Sequence, residues 1–253
     1  MVYSGSWLAL RGVRAAGVVA AAALALCGPG PRGAAYGEEP EAAEAPPRVE
    51  VWSGGEAFRH IWSAYGGATV APFGAILDDG FRLRGVLGYA NYGRGNATFG
   101  DLLIGYHKQL GSVTIKIFGG LSVTDHAPDP GDPYPPLQGT EYGGKGVLEV
   151  WWNITDQAWA SADLSFGSTH MDYGGRIRLG WRLWPELSVG LEGGSGGTAE
   201  PDLEHDTARI GGFLRYEWAT GEVAISGGWA AEGTWRNRDG PAPFGTVSLL
   251  TRF

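Results

Sequence analysis

Cysteine is all but missing from this sequence of 253 residues: its single copy is Cys27, inside an N-terminal apolar run. Disulfides therefore play no part in holding the chain together. Charge is also scarce, at 18% of residues, and it leans acidic, with a formal net charge of -8. That balance argues against a nucleic-acid partner. No window after Val49 sustains a helical period, and no apolar run reaches the roughly 20 residues of a membrane-spanning helix. What the chain has in excess is glycine, 44 residues, and tryptophan, 11 residues, with no collagen period among the glycines. Abundant glycine beside many aromatics is the composition of packed, twisted strands.

Residues 1–35 read as a secretory signal peptide. Arg11 and Arg14 precede the apolar stretch AAGVVAAAALALC, and small residues at Gly33 and Ala35 suit cleavage after Ala35. A membrane anchor would need a longer run. Lipid attachment at Cys27 fits poorly, because a large Leu26 precedes it. Cleavage removes Arg11, Arg14 and Arg32 and no acid, which moves the formal charge from -8 to -11. Residues 36–48, YGEEPEAAEAPPR, carry four glutamates and three prolines and read as a solvated acidic linker. The folded domain is expected over residues 49–253.

Period-two alternation then recurs in twelve segments: 49–57, 61–72, 80–92, 98–110, 112–124, 140–153, 157–168, 171–183, 186–196, 206–218, 221–235 and 243–253. Most exceed the usual strand of about 5–6 residues and suit a tilted strand crossing a bilayer, which takes about 9–11. In GFRLRGVLGY, Phe81, Leu83, Leu87 and Tyr89 share one face while Arg82 and Arg84 share the other. In GGRIRLGWRL, Ile177, Leu179, Trp181 and Leu183 oppose Arg176, Arg178 and Arg182. A soluble sandwich alternates in the same way, so parity alone leaves lipid and core as rival destinations for the apolar face. Connections discriminate better. Short links (GS, ITDQ, WPE, TG) alternate with long ones such as DHAPDPGDPYPPLQG and GTAEPDLEHD, the asymmetry of an outer-membrane barrel. The link FGAILDD is the exception, being too long for a periplasmic turn. Trp52, Trp151, Trp152, Trp159, Trp181, Trp184 and Trp218 flank the short-turn side and are expected to form an interfacial girdle, with Phe253 at the same edge. The expected fold is all-β: an antiparallel up-and-down transmembrane β-barrel of about 12 strands.

Several stretches carry a family resemblance: VWSGGEAF, YGGATVAPFGAILDDGFRLRGVLGY, DLLIGYHKQLGSVTIKIFGGLS, GTEYGGKGVLEVWWN, AWASADLSFG, RIRLGWRLWPELSVGLEGG and ARIGGFLRYEWATGEVAISGGW. Together they resemble the cellulose biosynthesis protein BcsS family of Gram-negative bacteria, from about Val51 to Phe253. The resemblance implies an exported outer-membrane protein that accompanies cellulose synthesis. It brings with it outer-membrane lipid as surroundings, and the glucan chain and the synthase–export components as partners. It implies no catalytic residues and no cofactor.

With the apolar face in lipid, Arg82, Arg84, Asp101, Lys116, Glu149, Asp163, Arg176, Arg178, Arg182, Glu192 and Arg215 line the lumen, joined by Glu141, Lys145, Arg209 and Glu217. Charges enclosed this way must be paired or wet. Counting across the hairpins pairs Arg178 with Glu192 and Arg176 with Asp163. Two readings of the lumen stay open, a closed interior tied by ion pairs and a narrow polar channel that passes or holds a sugar chain. His60, His126, His170 and His205 fall in or beside outer loops, and His107 lies in a strand. Loop histidines can serve an envelope hydrolase or a metal, but neither H-x-x-H nor G-x-S-x-G accompanies them. The acidic loops do not have calcium-loop spacing. The sequons at Asn96 and Asn153 carry no weight in a bacterial barrel. No enzymatic role and no metal are expected. The rivals are a barrel enzyme acting on envelope lipid or glycan, and a soluble periplasmic glucan-binding barrel.

Overall fold

The computed structural model of the chain describes residues 45–59, 61–92, 95–128, 138–198, 206–234, 237–238 and 240–253, with the side chains of 232–234 and 237–238 left out. The expected signal peptide, most of the expected linker, His60 and His205 lie outside these residues. Twelve long strands follow one another: β1 (Val49–Phe58), β2 (Ile61–Val70), β3 (Gly80–Asn91), β4 (Gly95–Leu110), β5 (Val113–Pro128), β6 (Gly139–Asn153), β7 (Ala158–Gly167), β8 (Asp172–Trp184), β9 (Leu187–Thr198), β10 (Asp206–Trp218), β11 (Gly221–Thr234) and, after the two-residue β12 (Asn237–Arg238), β13 (Ala242–Arg252). Each long strand pairs antiparallel with the next, and β13 pairs with both β11 and β1, which closes the sheet. The chain is a closed, antiparallel transmembrane barrel of twelve long strands.

Closure determines how the alternation is spent. Leu83, Ile117 and Leu179 all point outward and are exposed, and Leu87 on the same outer face is 73% exposed, whereas Arg82, between the exposed Phe81 and Leu83, is 1% exposed. An apolar exterior over a sheet with no free edge is the arrangement that bilayer insertion requires, since closure lets strands satisfy their backbone polar groups on one another. The soluble alternative would need those leucines at the centre.

The tryptophans divide. Trp152, Trp181 and Trp184 are exposed, as an interfacial girdle needs. Trp159 is 1% exposed and stacks on Trp151 with ring centroids 4.2 Å apart, both inside. Trp52 also lies inside, its ring against the backbone of Gly67. The expected girdle therefore loses three members, because an inward parity position outranks nearness to a turn. These inward rings explain much of the glycine. Trp159 lies flat over Gly180, Phe213 over Gly190 and Phe118 over Gly105, each glycine being the residue's cross-strand partner. A Cβ at Gly180 would sit within the ring of Trp159. Flat rings on bare backbone thicken the wall by only one aromatic layer and leave the barrel axis to longer polar side chains.

Both termini of the barrel lie at one end, where Arg48 N and Val49 N donate to the carbonyl of Phe253 at 2.6 and 3.0 Å. Phe253 itself is exposed at that rim. Links at this terminal end are short except for 71–79. That link turns inward: Ala71, Ala75 and Ile76 are buried, Ala71 N donates to Arg48 O (2.9 Å) and Ile76 N to Pro47 O (2.7 Å). Its length, anomalous for a tight turn, serves to cap this mouth of the barrel. Pro47 and Arg48, placed in the linker on composition, are part of the same cap.

Candidate functional site: the barrel lumen

Three levels of polar side chains follow one another along the lumen. At the capped end sits Arg82. Its Nη2 donates to the carbonyl oxygens of Ala75 (3.2 Å), Ile76 (3.0 Å) and Asp78, and its Nη1 to Phe81 O (2.8 Å). The guanidinium's fork of donors suits this ring of carbonyls, and it holds the 71–79 link against the wall. His107 Nδ1 lies 3.3 Å from the same Ile76 oxygen. Outside the wall, Asp79 takes the ammonium of Lys108 and the amide of Gln109 (2.7 Å), pinning the link to the adjoining turn. The hydrogen bond from Lys108 and that amide hold the Asp79 carboxyl below its usual range.

The middle level is a waist. Glu149 on β6 receives both terminal nitrogens of Arg84 on β3, and Lys116 on β5 reaches Glu50 on β1 at 3.6 Å and Glu149 at 3.9 Å. Lys116 and Glu149 face each other across the neighbouring strands β5 and β6, whereas β3 and β6, and β5 and β1, are not neighbours, so the Arg84–Glu149 and Lys116–Glu50 contacts run through the interior. Arg178 Nε donates to Glu192 Oε2 at 2.7 Å, and Glu192 is 1% exposed. Arg215 pairs with Glu217 (2.7 Å) and with Glu222. Each arginine here also lies on a ring: Arg84 is 3.7 Å from the centroid of Phe118, Arg178 5.3 Å from Phe213 and Arg215 5.3 Å from Trp159. Guanidinium on ring on glycine is thus repeated around the waist, and the cation–π contact contributes about 0.5–2 kcal/mol per site.

Beyond the waist, toward the end away from the termini, the interior opens. Arg176 donates to Asp163 Oδ2 through Nε (3.0 Å) and Nη2 (2.8 Å), and Arg209 bridges Glu56 (2.5 Å) and Glu192 (3.5 Å). Asp163 is 36% exposed and Arg176 28%, although both point into the barrel. They border a cavity of about 430 Å³. Asp101 on β4 is buried in the wall, accepting from Ser122 Oγ (2.6 Å) and facing Lys145 at 3.6 Å.

Among the charged residues read from the sequence as lumen-lining, Arg182 stands apart. It sits at the terminal rim and donates to Asn153 Oδ1 (2.7 Å) and Asp156 O (3.0 Å). Of the other fourteen, Glu141 is 46% exposed beside His170, and the remaining thirteen lie on the inner face in the contacts described. Both pairs suggested by counting across hairpins, Arg178–Glu192 and Arg176–Asp163, are formed. Glu50, Glu56, Glu222 and the stacking rings went unassigned, although period two from Trp52 and Ala224 carries the signal for them. The cross-lumen pairings had no sequence signal at all. His126 and His170 come together, with ring centroids 5.0 Å apart, and His170 Nε2 lies 3.3 Å from Glu141. Among the described residues no group of three or more histidine, cysteine or acidic side chains is arranged to hold a metal ion.

The sequence model of cellulose biosynthesis protein BcsS matches residues 50–253, the whole barrel. The chain belongs to the BcsS family. Among curated proteins no significantly similar sequence is found. Solved structures with a related trace include the KdgM porin (13% identity, TM-score 0.49, covering 81% of this chain and 99% of that one). An outer membrane channel from Pseudomonas putida F1 (10% identity, TM-score 0.48, 86% and 100%) and the NanC porin (8%, TM-score 0.47, 81% and 99%) are similar to the same degree. Likeness at this level says nothing about what the BcsS barrel passes or binds.

Proposed function

We propose that this BcsS-family barrel is a non-enzymatic accessory of cellulose biosynthesis in the outer membrane, and that it works as a sealed platform at the cell surface rather than as a conduit. The family match supports the pathway, and the closed sheet with its apolar exterior supports the membrane. In this reading the terminal end, with its short links and its cap, faces the periplasm, and the 430 Å³ cavity faces outward. The observation that carries the sealed reading is the waist. The Arg84–Glu149 and Lys116–Glu50 contacts cross the lumen between non-neighbouring strands. A glucan chain could not pass without breaking them, and each buried pair broken by loss of a partner costs about 3–5 kcal/mol.

Two measurements test this reading. Sarkosyl-resistant fractionation and heat-modifiable gel mobility are expected for the protein from cells; a soluble periplasmic pool would refute the membrane assignment. In planar bilayers the purified barrel is expected to show no steady open-channel current. A stable conducting state of the wild-type chain would refute the seal.

A further inference from the structure

The outward cavity is marked by solvent-reached charges lying next to a buried ion pair. Glu192 and Arg178 are buried, while Asp163, Arg176, Glu56 and Arg209 one level further out retain access to solvent. The cavity is therefore a solvent-accessible cup with a charged floor. Its size, about 430 Å³, falls in the range of sites for small ligands, about 300–1,000 Å³.

Its charges are balanced. Arg176 is matched by Asp163, Arg209 by Glu56, and on the floor Arg178 by Glu192. Three cations against three carboxylates leave no net attraction for an anionic or cationic ligand. Side chains already locked in ion pairs present both donors and acceptors in fixed positions, which suits a ligand carrying many hydroxyls and no charge. Tyr65 and Phe58 add apolar ring surface to the same cavity wall, as a site for sugar rings requires alongside its polar groups. Tyr65 is held in place by Gly54, whose missing Cβ leaves room for the phenol.

We propose that this cup binds the end of a neutral oligosaccharide chain, a glucan given the pathway, through Asp163, Arg176, Glu56 and Arg209 with Tyr65 as the stacking surface. The proposal deepens the platform reading and rests on it for the identity of the sugar. The full chain, purified from membranes in detergent, is titrated calorimetrically with cellotetraose and, separately, with tetragalacturonate. Cellotetraose is expected to bind and the acidic chain to bind at least tenfold more weakly. Ser165→Trp, which fills the cup from β7, and the pair Asp163→Asn with Arg176→Gln are each expected to weaken cellotetraose binding tenfold or more, with heat-modifiable mobility retained as the check on folding. No cellotetraose binding by the wild-type barrel, equal or tighter binding of the acidic chain, or full binding by a folded Ser165→Trp variant would each overturn the proposal. Conductance separates the two readings: a conducting barrel that binds cellotetraose sinks the seal alone, and a silent barrel that does not bind sinks the cup alone.

Discussion

Replacing Glu149 with leucine deletes the carboxylate that ties the waist together, and the structure fixes what is left behind. Arg84 keeps Thr69 Oγ1 at 3.1 Å and the ring of Phe118, and Lys116 keeps Glu50. Those residual contacts place the cost at the low end of the range for breaking a buried pair, about 3 kcal/mol. Removing both partners, Arg84→Met with Glu149→Leu, substitutes apolar side chains for the desolvated ions and is expected to return to within about 1 kcal/mol of wild type. A double variant that costs less than the sum of the two single ones is the signature of directly interacting residues, whose coupling spans about 0.5–3 kcal/mol. Urea unfolding in detergent micelles, followed by tryptophan fluorescence and by gel mobility, measures all four corners of the cycle. A Glu149→Leu cost below about 1 kcal/mol, or a double variant no more stable than the single one, would refute the claim that this cross-lumen pair constrains the barrel.

Other perturbations probe separate parts of the barrel. Gly180→Val forces the ring of Trp159 off the wall and is expected to destabilise by about 1–3 kcal/mol, whereas Gly146→Ala, with nothing near its missing Cβ, leaves the urea midpoint unchanged; equal effects would refute the ring-on-glycine account. Arg82→Met removes the donors that hold the carbonyls of 75, 76 and 78, and the amides of the 71–79 link should exchange hydrogen faster while β3 stays protected. The Asp79 carboxyl is depressed by Lys108 and the Gln109 amide, so its anchoring is complete above its unfolded value of 3.8 and is lost as pH falls through the lower folded value. Exchange in the link should therefore rise only below pH 3.8, and should stop responding to acid in Asp79→Asn.

How much of this was legible beforehand follows from the range of the forces involved. Alternation is a local property with a period of two, and in a closed up-and-down sheet each strand's neighbour in space is its neighbour in sequence. Strand limits, the all-β class, the outward leucines and even the pairs Arg178–Glu192 and Arg176–Asp163 could thus be counted from residues less than 20 positions apart. The tryptophans show where counting ends: Trp151 and Trp152 are adjacent in sequence, yet only Trp152 reaches the interface, because position relative to a turn does not say which way a side chain points.

What the tertiary structure alone decided lies across the barrel axis. Arg84 and Glu149 are 65 positions apart, and whether they meet depends on the diameter and tilt that closure imposes, not on any local pattern. The same holds for the 71–79 link, whose carbonyls meet Arg82, and for the placing of an accessible cup beside the buried Arg178–Glu192 pair. Sequence sorted the side chains into inner and outer faces because alternation is short-range; only the closed sheet set which inner charges are near enough to neutralise one another.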